Sequence, residues 1–199
     1  MARTPRFDRQ LSLDRAMALF WSKGYYACSM KHIEQALDMR PGSIYATFGS
    51  KSGLFAEALE VYFNRMGVEF LQLVSASPLL VDGLKHYFRA MVKPASLGEA
   101  PQPMACMLIK TLLEINDEDK DLAARANDML GAIETGLCQA LELAKASGEL
   151  RADTDCPRLA RLLQAQIIGL RIYAERSPAA AHLELLAGDM ANILDAYSA

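Results

Sequence analysis

Apolar residues recur at spacings of three and four along nearly the whole chain, and no segment alternates in the manner of a half-buried strand. The pattern predicts about nine helices. In the first, from about Asp8 to Lys23, one face carries Leu13, Ala16, Met17 and Phe20, and Gly24 ends it, because a left-handed cap suits a residue without a β-carbon. A short second helix starts at Ser29, a good N-cap, with Ile33, Ala36 and Leu37 facing inward. Asp38 and Met39 form a tight turn. Arg40-Pro41-Gly42-Ser43 then opens a third helix that reaches about Phe48; proline at the first helical position sacrifices no hydrogen bond there. Ser50 caps a long fourth helix, about Lys51 to Val74, whose apolar side holds Leu54, Phe55, Ala58, Leu59, Tyr62, Phe63 and Met66.

The remaining helices follow the same periodicity. A fifth begins at Ser77-Pro78 and ends near Lys93-Pro94. The segment from Pro94 to Pro103, with three prolines and Gly98, reads as a loop. A sixth helix covers about Met104 to Ile115. A seventh opens on the acidic stretch Asp117 to Asp121, where carboxylates complement the helix dipole, and runs to about Ser147 before Gly148. An eighth spans about Cys156 to Glu175 and a ninth about Ala179 to Tyr197. The fold class is all-α, with an N-terminal three-helix unit over residues 1–50 and a helical body over residues 51–199.

Composition agrees: Ala, Leu and Met are abundant and 52% of residues are hydrophobic, enough for a substantial core. No apolar run approaches the roughly 18–20 residues of a membrane span. No signal-length apolar run follows Met1 to Phe7, so a soluble cytoplasmic protein is the expectation. Cys28, Cys106, Cys138 and Cys156 lie far apart with no Cys-x-x-Cys pair; they read as reduced thiols and not as a metal cage. The net charge of −3 conceals a segregation: residues 1–51 balance at +4 and residues 52–199 at −7. A basic head on an acidic body suits a protein that sets one end on phosphates.

Three short helices in the first fifty residues, the last two joined by a tight turn, constitute a helix-turn-helix. The third helix is the reader. Gly42 permits close backbone approach, Ser43 and Thr47 place hydroxyls on one face, and Tyr45 reaches a phosphate or packs on a sugar. Ile44 and Phe48 hold the opposite face to the core. Lys51, at the start of the fourth helix, combines an ammonium with open helix-end N–H groups as a phosphate clamp. Ser29, Lys31 and Arg40 complete the candidate DNA-contacting set, with Arg3 and Arg6 as a terminal arm.

The run Ala36 to Phe55, A-L-D-M-R-P-G-S-I-Y-A-T-F-G-S-K-S-G-L-F, resembles the DNA-binding signature of the TetR/AcrR repressor family. Upstream, Ala16, Leu19-Phe20, Gly24-Tyr25, Ser29 and Ile33 are similar to the family's first two helices, so that the resemblance covers about residues 6–66. Two positions depart from it. Asp38 stands where the family usually has glycine, and aspartate tolerates a left-handed backbone better than most residues. Glu34 stands where a small or aliphatic residue is usual, and a carboxylate there must point away from DNA.

The resemblance implies a homodimer built on the last two long helices, a double-stranded operator as partner, and a small apolar or amphipathic effector whose binding releases the DNA. It implies no cofactor. Compatible with that seam are a broad stripe of Leu159, Leu162, Leu163, Gln166, Ile167, Leu170 and Tyr173, with Gly169 allowing close crossing, and a second of Leu183, Leu185, Leu186, Met190, Ile193 and Leu194. Of these, the seam candidates are Leu159, Leu163, Ile167, Leu170, Leu186, Met190 and Ile193. Candidates for the effector site are Phe63, Met66, Phe70, Met91, Met104, Cys106 and Met107, each of which could equally be core filler. Gln166 and Tyr173 suit either a ligand or the dimer seam. Cys106 is either an electrophile sensor or a buried inert thiol. His32 either touches DNA or is solvated, and no two histidines share a helix at metal-binding spacing. Gly49-Ser50-Lys51-Ser52 lacks phosphate-loop spacing, and neither Gly-x-Ser-x-Gly nor His-Glu-x-x-His occurs. Beside the ligand-released repressor stand two alternatives: a regulator gated by a partner protein, and a helical enzyme or binding module.

Overall fold

A computed structural model describes residues 8–92 and 105–199. The described residues form nine α-helices and no strand: α1 (Arg9–Lys23), α2 (Met30–Leu37), α3 (Pro41–Phe48), α4 (Lys51–Ser75), α5 (Leu80–Ala90), α6 (Met107–Glu114), α7 (Lys120–Ala146), α8 (Cys156–Ala174) and α9 (Ala180–Asn192). Short 3-10 turns precede α7 and follow α9. The Arg3–Arg6 arm, the proline-rich loop Pro94 to Pro103 and Met104 lie outside the described residues.

The helices of the head begin and stop where local chemistry dictates. Asp8 accepts the Leu11 N–H at the start of α1, and Ser50 accepts the Gly53 N–H at the start of α4. At α2 the cap is reciprocal: Ser29 Oγ accepts the His32 N–H, and His32 Nδ1 accepts the Ser29 N–H. Histidine thus fills the place glutamate or glutamine takes in the usual capping box. Asp38 ends α2 in the left-handed region, at φ 54° and ψ 46°.

The fifth helix starts two residues later than Pro78 suggests. Its cap comes from elsewhere in the chain: the carboxylate of Glu149, in the α7–α8 turn, accepts the Val81 N–H at 2.8 Å. Burial works against that charge, but N–H groups of Val81 and Leu80 and the Ser147 hydroxyl hold its pKa below the ordinary carboxylate value. Gly83 lets α5 cross the end of α4, since a β-carbon would collide with the Val74 carbonyl. Helix α9 is also shorter than its periodicity predicts, tightening into the 3-10 turn Ile193–Tyr197.

Two apolar cores result. The first gathers α1–α3, the first half of α4, and Cys106, Met107, Leu108, Leu122 and Ala126 from the body. The second gathers the end of α4 with α5, the later part of α7, α8 and α9. Helix α4 runs through both. Its Phe55 meets Phe20 edge-on with centroids 4.9 Å apart in the first core, and its Val74 is buried in the second.

Candidate nucleic-acid interface

Helix α3 is divided lengthwise by burial. Ile44 and Phe48 are 0% and 6% exposed and bind it to the first core. Pro41, Gly42, Ser43, Tyr45 and Ala46 are exposed, and Tyr45 remains 47% accessible. An open, small-residue helix face with hydroxyl groups is what entry into a major groove needs. Thr47 is half-buried, and its hydroxyl donates to the Ser43 carbonyl at 2.8 Å, which leaves only its acceptor lone pairs for a base edge.

The cations flank this face. Lys31 and Arg40 are exposed on either side of the turn. Lys51 is half-buried, its ammonium 4.5 Å from the centre of the Tyr25 ring. That cation–π contact sets the position of the ammonium beside the open end of α4. Ser29 is exposed at the N-terminus of α2, and its capping bonds already use its hydroxyl and amide. Arg9 packs its guanidinium 5.4 Å from the Phe48 ring and pairs with Glu57, supporting α3 from behind. Glu34, the unexpected carboxylate, is half-buried.

Sequence reasoning missed the joint between head and body. Trp21 Nε1 donates to the Ala105 carbonyl at 2.7 Å, and Lys110 Nζ donates to the Trp21 carbonyl at 2.6 Å. Glu114 accepts the N–H groups of Tyr25 and Tyr26 at 2.8 and 2.6 Å. Gly24, at φ +85°, exposes those two amides, and a β-carbon on it would come within 2.6 Å of the Glu114 carboxylate. The Tyr25 phenol is pushed up to about 12, first by burial and then by the charge of Asp119, so it stays protonated. The available signal was the Gly24-Tyr25-Tyr26 turn, whose amides needed an acceptor.

The effector candidates separate into groups. Phe63, Met66 and Phe70 on α4 line a cavity of about 120 Å³ with Gly67, Tyr87, Ala132, Ile133, Gly136 and Leu137. Met91 packs against the second core instead, and Cys106 and Met107 are buried in the first. Cys28, Cys106 and Cys156 are buried free thiols and Cys138 is a half-buried one. Burial raises the Cys28 pKa, and burial with the nearby Glu142 pushes Cys156 to about 11. Gln166 is exposed, and Tyr173 is half-buried beneath the Arg176 guanidinium.

The family described as "Bacterial regulatory proteins, tetR family" matches residues 13–58, and "Tetracyclin repressor-like, C-terminal domain" matches residues 81–185. The chain belongs to the TetR family. It is a DNA-binding transcriptional regulator. It is 30% identical over 183 residues to the HTH-type transcriptional repressor ComR of Escherichia coli K12, covering 92% of this chain and 86% of that one. It is 26% identical over 127 residues to the repressor BdcR of the same organism, covering 62% of this chain and 61% of that one. A solved cysteine mutant of the TetR-family regulator CifR, complexed with 26-bp double-strand operator DNA, superposes with a TM-score of 0.84 at 27% identity, covering 96% of this chain and 98% of that one.

In this TetR-family chain, most of the expected seam residues are used inside the protomer. Leu159, Leu163, Ile167, Leu170 and Met190 are each 8% exposed or less within the second core. A side chain so covered has little area left for a partner. The uncovered apolar groups on α8 and α9 lie one face round: Leu162, Ile172, Leu185 and Leu186 are 39%, 44%, 66% and 41% exposed, with Gly169 and Gln166 exposed among them. Of the seam candidates, Leu186 is on this face and Ile193 is half-buried.

Proposed function

We propose that this protein is an operator-binding repressor that a small molecule releases from DNA. The observation that carries the reading is the exposed face of α3, Gly42 to Tyr45, held rigidly from behind by Ile44 and Phe48. Ser43 and the Thr47 oxygen read base edges, Tyr45 and Arg40 steady the helix on the backbone, and Lys51, Lys31 and the start of α2 at Ser29 hold phosphates. Residues 1–50 act as reading head and residues 51–199 as body. The activity is binding without catalysis, and it takes place in the cytoplasm, where the chromosome is.

Two copies associate through the exposed face of α8 and α9, so that two reading helices meet successive major grooves roughly 34 Å apart. The effector enters the cavity between α4, α5 and α7. Because α4 carries the head at one end and lines this cavity along its middle, a ligand that shifts α4 changes the separation of the two heads. Release requires the effector to favour the DNA-incompetent state by a few kcal/mol, about 5.5 for complete reversal.

The test is duplex binding by Ser43→Ala and Lys51→Ala. Ser43→Ala relaxes sequence preference, while Lys51→Ala weakens binding to every duplex and lowers the salt slope by about one. If Lys51→Ala changed neither, the phosphate assignment would be wrong.

A further inference from the structure

One buried ring ties Lys51 to the body of the protein. Lys51 and Phe55 stand one turn apart on α4, and the Tyr25 ring lies along that turn, 4.5 Å from the ammonium and 4.9 Å from the Phe55 ring. The Tyr26 ring packs edge-on against it at 5.0 Å. The segment between α6 and α7 holds both tyrosines. Glu114 accepts their two N–H groups, the Tyr25 O–H donates to Asp119 at 3.3 Å, and the Tyr26 O–H donates to Asn116 at 2.6 Å. The partners in these bonds are 88 to 94 residues apart in the chain, so the body supplies the seat of a ring in the head. Helix α4 fixes only the backbone of Lys51. Its ammonium ends a flexible four-carbon stem, and holding it in place before DNA arrives spares binding the loss of that freedom. A ring on one side of the ammonium still leaves N–H donors for a phosphate on the other.

We infer that Glu114 and Asp119 are positioning residues for DNA binding: they hold the Tyr25 ring, and the ring holds the Lys51 ammonium where a phosphate meets it. The inference rests on the phosphate role of Lys51 given above. Both carboxylates act through Tyr25. By charge alone they oppose binding, because a negative group repels the phosphate backbone. Their positioning effect and their electrostatic effect therefore have opposite signs, and the sign of a substitution tells them apart. A movement that draws the α6–α7 segment away from the α1–α2 turn frees the ammonium, which gives the body a route to the clamp separate from any shift of α4.

Anisotropy titrations of the full-length protein on labelled duplexes, the upstream DNA of its own gene and a scrambled one, repeated over a range of salt, test this. Glu114→Ala is expected to weaken both duplexes alike, by about two- to fivefold for the loss of one cation–π contact, with a shallower salt dependence. Asp119→Ala is expected to act in the same direction. In a Lys51→Ala background neither substitution weakens binding further. In a Lys31→Ala background, which leaves the Tyr25–Lys51 contact in place, both keep their full effect. Melting curves on the same samples report folding, and Asp119→Ala, which leaves the Glu114 bonds in place, carries the test should Glu114→Ala unfold. Unchanged or tighter binding, or equal losses in the native and Lys51→Ala backgrounds, would overturn the inference. If Lys51→Ala by itself left affinity and salt dependence unchanged, the phosphate assignment would fail first and the inference with it.

Discussion

At the scale of single residues, the head divides into groups that hold it together and groups left over for DNA. Ser29 and His32 cap each other, so Ser29→Ala should lower stability by about 1 kcal/mol, read as a melting shift of roughly 2–4 °C. An unchanged melting point would mean the cap contributes nothing. Thr47→Val should alter sequence preference less than Ser43→Ala, because the Thr47 proton is already committed to the Ser43 carbonyl. The exposure of Gly42, Ser43 and Tyr45 was legible in the sequence because Pro41, Gly42 and the periodicity of Ile44 and Phe48 orient so short a helix without ambiguity. The capping role of His32 was not, because histidine is an uncommon partner in a capping box.

At the scale of elements, the informative feature is how α6 and α5 are tied at their ends. Glu114 satisfies two amides in the α1–α2 turn, and removing a charged acceptor from two N–H groups costs about 1–3 kcal/mol. Glu114→Ala should therefore lower the melting temperature by several degrees, and it should also weaken communication between ligand and DNA. A variant with native stability and native ligand response would show the joint to be incidental. For α5 the cap is Glu149, whose pKa in the folded protein lies below its unfolded value of 4.5. Its stabilisation is complete above pH 4.5 and is lost as pH falls through the folded pKa. The melting temperature of the native protein should thus fall more steeply on acidification than that of Glu149→Gln. Parallel curves would remove Glu149 from the account. The start of α5 could not be placed from sequence because Pro78 is a valid local signal, whereas the true cap comes from 68 residues away.

At the scale of the whole molecule, the predicted all-α organisation held, while the choice of seam shows the limit of periodicity. A broad apolar stripe on α8 serves two neighbours, and spacing alone does not tell which residues face α7 and which face outward. Burial does: Leu163 is 0% exposed, whereas Leu162 is 39% exposed. Replacing Leu162 and Leu185 by Glu should give folded monomers on sizing chromatography, and a persistent dimer would contradict the seam. Helix α4 is shared by both cores, and in the proposed function it is the link through which occupancy of the cavity would reach the reading face. If the exposed face of α3 is the reading face, it grips a specific duplex. The most direct measurement is a salt titration of binding to the DNA immediately upstream of the protein's own coding sequence, against a scrambled duplex. A marked preference for the upstream DNA with a steep salt dependence is expected. Absence of binding to either duplex at low salt would contradict it.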